Sequence, residues 1–373
     1  MTMRETYLDW NATAPLRPEA AAAMAEALHA CGNPSSVHRW GRAARRRVEA
    51  AREAVAALVA ASPQDVVFAS GGTEANHLAL LGPGRPRVLV SAVEHGSVLD
   101  AVPGAEHIPV DRDGIMRLDE LERMLSADAR PALVSVMLAN NETGVVQPVA
   151  EAAQIAHAHG ALFHCDAVQA AGKLPLRVPE IGADLLTVSA HKLGGPPGVG
   201  ALIAAAGVEL APLLRGGGQE GRRRAGTENI PGIIAFGVAA AAAAGDLAAC
   251  ERVRTLRDAL EAAVTDTAPD AVVIARAAPR LPNTSAIALP NVPAETQVIA
   301  LDLGGVMVSA GAACSSGKVQ PSHVLVAMGH GPDIARSTIR VSLGWSSSEA
   351  DIEHFLAAWG LLYRRVRTTA RAA

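Results

Sequence analysis

Aromatic side chains are scarce: the 373-residue chain holds four Phe, four Trp and two Tyr. A flat ring bound here would have to stack on something other than Trp or Tyr. Cysteine is equally sparse, at Cys31, Cys165, Cys250 and Cys314, with no CxxC pair. That excludes a disulfide framework and a structural zinc site. A formal net charge of −4 gives no field suited to nucleic acid, and the basic run Arg45–Arg47 has Glu49 and Glu53 beside it, as a solvated helix face would. The N-terminus, MTMRETYLDW, lacks a basic region followed by an apolar stretch, so no signal peptide is expected and a cytoplasmic location follows by default. The Ala-rich run from Ala235 to Ala244 is too short for a span and is interrupted beyond by Asp246 and Glu251. It reads as a buried helix, with no membrane involved.

Half the residues are apolar, ample for burial, and the length exceeds what one core usually supports, so one large and one smaller domain are expected. An extended arm over YLDWNATAPL precedes a helix from Pro18 to about Ala30. The Gly32–Pro34 turn stops that helix, and Ser35 or Ser36 can cap a longer amphipathic one running to about Ala60. Apolar runs of strand length then alternate with helical stretches: Val66 to Phe68, Val88 to Ser91, 132 to 139, and Leu185 to Val188. Such spacing suits βαβ units and a mostly parallel sheet, a doubly wound core. Strand and helix patterns alternate again after about Thr265, as in a small second domain.

The most informative stretch is ADLLTVSAHKLGGPPGVGAL, residues 183–202. Lys192 falls just past the carboxyl end of a buried strand, where open α/β sheets place their ligands. Two readings stand on this stretch alone. In one, the ammonium sits in water at a loop edge. In the other, it is buried and kept neutral, a nucleophile toward carbonyls such as the aldehyde of pyridoxal phosphate. Upstream, another apolar run ends at Asp166 and is followed by Gln169. A pyridine nitrogen needs a carboxylate nearby to stay protonated, so two strand ends carrying Asp and Lys suit that cofactor.

Other strand ends carry candidate ligands. Gly71, Gly72 and Thr73 open a helix where backbone N–H groups attract an anion, although neither GxGxxG nor GxxxxGK[ST] is present; Gly-Gly alone is more often a simple turn. His95 can lie on a ring face, shuttle a proton or merely cap a helix. Asn140 and Asn141 make turns, or hold a carboxylate or ring hydroxyl. The Gly- and Arg-rich loop LLRGGGQEGRRRAGTENIPG is no interior element and would suit an anion, with Thr227 as a hydroxyl donor. Cys314, among Gly, Ala and Ser, reads as an accessible loop position, against the usual buried, inert cysteine. Arg340 lies in a strand-like run and wants a carboxylate from protein or substrate.

Taken together, YLDWNATAPL, GNPSSVHRWG, SGGTEANHLAL, EHGSVLD, NNETGVVQP, CDAVQAAGK, SAHKLGGPPGVGAL, GGGQEGRRRAGTENIPG, GAACSSGKVQPSHVL and STIRVSLG resemble, in order and spacing, the cysteine desulfurases of the NifS/IscS type. These are class V members of the fold-type I pyridoxal phosphate enzymes. The resemblance implies an α/β fold: a large domain (15–260) with a mostly parallel seven-stranded sheet, and a smaller α+β domain (1–14 with 261–373) carrying the Cys314 loop. It implies that Lys192 bonds the cofactor aldehyde and later moves a proton, that Asp166 holds the ring nitrogen and Gln169 the ring oxygen, and that His95 stacks on the ring. Gly72, Thr73, Ser189 and His191 would bind the phosphate, with Thr227 from the other subunit of a homodimer, and Asn141 and Arg340 the substrate carboxylate. Cys314 would take sulfur from L-cysteine, leaving alanine and a persulfide for a sulfur-acceptor protein in iron-sulfur cluster assembly or thiolation.

Departures from the family pattern, at Cys165, Pro197 and GQEGRRRAG, touch none of these roles. The spacing from Cys314 to Pro321 resembles the group with a long loop, whose members pass sulfur directly to scaffold proteins, whereas the tail RRVRTTARAA is short. Alternatives are a selenocysteine lyase, another fold-type I enzyme such as an aminotransferase, or a non-catalytic sulfur carrier. Cys314 has no use in an aminotransferase, and Lys192 has none in a carrier.

Overall fold

The computed structural model describes residues 4–311 and 321–372; Cys314 lies outside the described residues. The larger sheet has seven strands, in the spatial order Val66–Ala69, Gly200–Ala204, Leu185–Ser189, Leu162–Asp166, Ala132–Met137, Arg87–Ser91 and Glu106–Ile108. All run parallel except Gly200–Ala204, which is antiparallel to both neighbours. The mostly parallel seven-stranded sheet implied by the sequence is therefore present.

The strands other than the edge strand Glu106–Ile108 read as mainly apolar runs because both faces are covered. Side chains alternate between the faces with period two. Val66, Phe68, Val134, Val136, Leu186, Val188, Ala201 and Ile203 enter one core, while Val67, Ala69, Leu133, Leu185, Leu202 and Ala204 enter another on the opposite face. Helix Gly72–Leu81 covers the second face through Ala75, Leu78 and Ala79.

Helices Arg39–Leu58 and Ile230–Gly245 pack together on the first face. The helical stretch Ile230–Thr267 is long and apolar enough by composition to cross a membrane, yet Ile233, Ala235, Phe236, Ala239, Ala240 and Ala243 all lie in the core. Its small residues serve close helix contact: a Cβ on Gly237 would sit 2.6 Å from the Ala51 Cα. Helix Arg39–Leu58 begins later than the serines suggested. His38 is its cap, accepting from the Gly41 N–H at 3.3 Å, because Gly41 lies so close under the preceding turn that a Cβ there would meet the Ser36 carbonyl at 2.2 Å.

A second core gathers Leu8 with Leu260, Ile287, Leu301, Ile339, Val341, Phe355 and Trp359. Its antiparallel sheet runs Ser309–Ala310, Thr338–Ser342, Thr284–Ala288, Val272–Val273. The N-terminal arm joins the two bodies. Thr6–Tyr7 pairs in parallel with Val306–Met307, and the chain then crosses to the large sheet, where the Ala14 N–H meets the His191 carbonyl at 2.9 Å.

The Gly- and Arg-rich loop is exposed along most of its length but tied down by Arg224, which pairs with Glu74 at 2.8 Å, by Arg223, which donates to the Gln64 carbonyl at 2.9 Å, and by Glu220. Glu220 is buried, and its carboxylate receives both Arg52 Nη atoms at 2.8 and 2.9 Å and the Phe68 N–H at 2.9 Å. Arg52→Ala leaves that carboxylate buried without its counter-charge and is expected to cost ~3 kcal/mol or more. The measurement is the urea midpoint at unchanged m-value; a loss under ~1 kcal/mol would mean that water or Arg223 replaces the pair.

Candidate active site at the carboxyl edge of the sheet

The parallel strands deliver their carboxyl ends to one edge, so residues distant in sequence meet there. Lys192 ends the short turn Ala190–Lys192 that follows strand Leu185–Ser189. Its Nζ donates to two backbone carbonyls of the arm, Asn11 at 2.5 Å and Ala12 at 2.7 Å. Burial, then the Arg340 charge, pull this amine from 10.5 to about 8, against the opposing pull of Asp9 and Asp166. The loop-edge reading, with the ammonium in water, is thereby set aside.

Asp166 closes strand Leu162–Asp166 and is held on both oxygens. Oδ1 accepts the Val168 N–H at 2.9 Å and Oδ2 the Asn76 Nδ2 at 2.8 Å. Asn76 comes from one turn inside helix Gly72–Leu81 and donates also to Ser97 Oγ at 2.9 Å. Ser97 in turn meets His95 Nδ1 through its hydroxyl, at 2.9 Å, and its backbone N–H, at 3.1 Å. A backbone donor on Nδ1 makes that nitrogen the acceptor, so the proton of neutral His95 sits on Nε2. Burial lowers the pKa of His95 and keeps the ring neutral at pH 7. His95, Ser97, Asn76 and Asp166 are one hydrogen-bonded chain.

Gln169 donates through Nε2 to the Asn11 carbonyl at 2.9 Å and accepts at Oε1 from Lys173 Nζ at 2.9 Å. Arg340, on strand Thr338–Ser342, donates from Nη1 to the Asn141 carbonyl at 3.0 Å and from Nη2 to Asp9 Oδ1 at 2.6 Å. Its Nε is buried with no hydrogen-bond partner among the described residues, and so is Ser189 Oγ. Ser189 faces the start of helix Gly72–Leu81: a Cβ on Gly72 would lie 3.2 Å from Val168 Cγ2 and 3.6 Å from Ser189 Cβ. Thr73 stands exposed in the first turn of that helix. His191 lies 3.3 Å from Thr13 Oγ1 through Nδ1, and burial followed by the Lys192 charge brings it to about 4, so it is neutral at pH 7.

Lys192, Asp166, Gln169, His95, Asn141, Arg340, Ser189 and His191 thus share one edge. Thr227 does not join them; exposed, it lines a separate polar hollow with Ser70, Gly198 and Arg224. Sequence reasoning missed Asn11, Asn76, Ser97 and Lys173. Asn76 was findable, since it lies one turn after Gly72, a polar residue beside the buried Ala75, Leu78 and Ala79 of its helix. Asn11, in an extended arm, carries no such signal.

A family model, aminotransferase class-V, matches residues 6–355. The chain belongs to the class-V aminotransferases. Within that family it is 46% identical over 370 residues to a cysteine desulfurase from Cereibacter sphaeroides, covering 95% of this chain and 94% of the relative. Among solved structures, a NifS-like protein from Rickettsia africae superposes with a TM-score of 0.91 at 33% identity, covering 97% of this chain and 100% of that one. SspA in complex with cysteine superposes with a TM-score of 0.77 at 28% identity, covering 91% and 98%. The family match runs from residue 6 to 355, so the edge where this class-V chain gathers its polar groups lies inside the matched region.

The depressed Lys192 carries a consequence for stability. Between pH 8 and 10.5 the folded amine binds fewer protons than the unfolded one, so its contribution to stability rises with pH across that window. The stability difference between the native chain and Lys192→Met is therefore expected to move in favour of the native chain from pH 8 to 10.5, by ~1–3 kcal/mol. Urea midpoints of the ligand-free proteins measure it, and a pH-independent difference would mean that Lys192 titrates like a surface lysine.

Proposed function

We propose that this chain is a cysteine desulfurase: it uses pyridoxal phosphate to take sulfur from L-cysteine, releases L-alanine, and holds the sulfur on Cys314 as a persulfide for an acceptor protein. The observation that carries this reading is the convergence of Lys192 and Asp166 from adjacent strands on one edge, each restrained by its own hydrogen bonds. The relatives named cysteine desulfurase support the reaction class, and the neighbour holding cysteine supports the substrate.

The residues fit the cofactor. The start of helix Gly72–Leu81, with the unpartnered Ser189 hydroxyl beside it, suits the phosphate. Asp166, held in place by Asn76 and the Val168 N–H, suits a protonated ring nitrogen. Gln169 offers an N–H toward the ring oxygen, and neutral His95 the ring face. When bound, pyridoxal phosphate supplies an electron sink for charge developing at the substrate α-carbon.

The remaining work falls to the protein. Arg340 Nε, without a hydrogen-bond partner among the described residues, takes a substrate carboxylate oxygen together with Asn141. With its pKa near 8, the Lys192 amine is partly neutral in the physiological range and moves a proton at the α-carbon. The Cys314 thiolate forms the S–S bond as the carbon–sulfur bond of the substrate breaks; the carbon takes a proton and leaves as alanine.

Thr227, exposed here, is offered to the phosphate of a second copy, which makes the active form a homodimer. The large domain, 15–260, supplies the ring and phosphate contacts, and the small one, 1–14 with 261–373, supplies Arg340 and Cys314. A soluble cytoplasmic acceptor for iron-sulfur cluster assembly or thiolation completes the reading.

The purified protein is expected to be yellow with pyridoxal phosphate, and borohydride to fix the cofactor on the Lys192 peptide by mass spectrometry. A protein that takes up no pyridoxal phosphate sinks the proposal. Cys314→Ala should still bind the cofactor and change its spectrum with cysteine, yet release under ~1% of the native sulfide with a reductant. Native sulfide release from that variant removes Cys314 from its role.

A further inference from the structure

Lys173 belongs to none of the roles assigned above, yet it lies deep beside the site. Its Nζ reaches two oxygens, Gln169 Oε1 at 2.9 Å and Asn11 Oδ1 at 3.1 Å. Both are fixed as acceptors by their own partner nitrogens. Gln169 Nε2 faces the backbone carbonyl of Asn11 at 2.9 Å, and Asn11 Nδ2 faces the backbone carbonyl of Asn141 at 3.2 Å. A carbonyl only accepts, so neither amide can be turned over without setting two acceptors face to face. Lys173 completes the arrangement from the other side, because an amine brings at least two N–H groups to the two oxygens.

We propose that Lys173 is a positioning residue: it grips the side-chain oxygens of Gln169 and Asn11 and so holds the Gln169 carboxamide with its NH2 group turned to the cofactor's ring oxygen. The inference rests on the proposed pyridoxal phosphate site and deepens it. Without Lys173, the Gln169 oxygen loses its donor inside a buried pocket, where an unpaired polar atom is costly. The amide then keeps only the bond from Nε2 to the Asn11 carbonyl, half of what holds it against turning over. Turned over, the carboxamide of Gln169 would present its oxygen to an oxygen of the cofactor, and an attraction would become a repulsion.

The ionic state of Lys173 agrees with this geometry. Burial, then the charges of Lys192 and Arg340, bring it from 10.5 to about 7, against the opposing pull of Cys250. Near pH 7 the amine is therefore divided between its two forms, and the neutral one has two N–H groups for the two acceptors.

A double-mutant cycle between Lys173→Met and Gln169→Leu decides the matter, read as the pH midpoint of the bound cofactor's visible absorption and as the dissociation constant for pyridoxal phosphate. Each single variant is expected to move the midpoint the same way, by at least ~0.5 unit, about threefold in proton affinity, and the double variant to match Gln169→Leu alone. Two results overturn the proposal: a native midpoint in Lys173→Met, or shifts that simply add. Should Lys173→Met fail to fold, Lys173→Ala runs the same cycle, since its vacated space merges with the hollow that Lys173 already lines. Failure of the native protein to bind pyridoxal phosphate would instead strike the proposed function, which separates the two ideas.

Discussion

Three basic side chains, Lys173, Lys192 and Arg340, lie within one another's electrostatic reach at the sheet edge, with Asp9 and Asp166 opposing the charge at Lys192 and Cys250 that at Lys173. Like charges in a poorly solvated pocket repel strongly, and each pays desolvation as well. Arg340 cannot shed its proton, so it takes the carboxylate of Asp9 and the Asn141 carbonyl. The two lysines yield instead, Lys173 to about 7 and Lys192 to about 8. The surplus of positive potential that remains is what a ligand bearing a phosphate and a carboxylate needs. The same repulsion that weakens the ligand-free protein thus favours an anionic occupant.

The arm from Asp9 to Ala14 makes this crowding possible. On one side it is bound to the small sheet: the Asn11 N–H donates to Ser342 Oγ at 3.0 Å, Asn11 Nδ2 to Thr284 Oγ1 at 2.9 Å, and Asn283 Nδ2 to Asn11 Oδ1 at 3.0 Å. On the other side Asn11 meets Gln169, Lys173 and Lys192. One buried asparagine therefore joins two hydrophobic cores and fixes the lysine between them. Trp10 leaves the arm little room to shift, since it packs edge-on to Trp345 at 4.6 Å, and a Cβ on Gly344 would lie 2.0 Å from its ring. Preorganisation of this kind is what holds reacting groups in place before a substrate arrives.

What could be read in the sequence was what local pattern encodes. Apolar runs of strand length ending at Asp166 and Ser189, and one leading to His95, located the edge, because a parallel sheet aligns its carboxyl ends whatever the loops do. The sheet and the placing of Lys192 and Asp166 followed from that, whereas the roles expected of Gln169 and of Arg340, on the antiparallel small sheet, came from the family resemblance. Asn11 and Lys173 stayed hidden for the opposite reason: Asn11 finds Asn141, Lys192 and Thr284 more than 100 residues away, Lys173 reaches Asn11 across a like distance, and no periodicity records such contacts. The serines ahead of helix Arg39–Leu58 misled because capping propensity is local, whereas the close approach of Gly41 to the Ser36 carbonyl is not. Thr227 shows a further limit, since one chain displays it only as an exposed hydroxyl.

The reactive form of Lys192 has its physical origin behind the residue rather than in front of it. Burial is the largest cause of its depressed pKa, ahead of any charged neighbour. The hollow at its back is walled mainly by Trp10, Ala14, Leu193, Ala243, Val253 and Trp345, side chains drawn from the arm, the large domain and the small one. An apolar wall penalises an ammonium far more than it penalises an amine. Water admitted there would solvate the charged form and return the lysine toward its ordinary pKa, even with every polar contact at the edge left intact. The chemistry of this lysine is therefore set by how tightly two cores close on the arm between them, and packing at the domain boundary becomes a determinant of proton transfer.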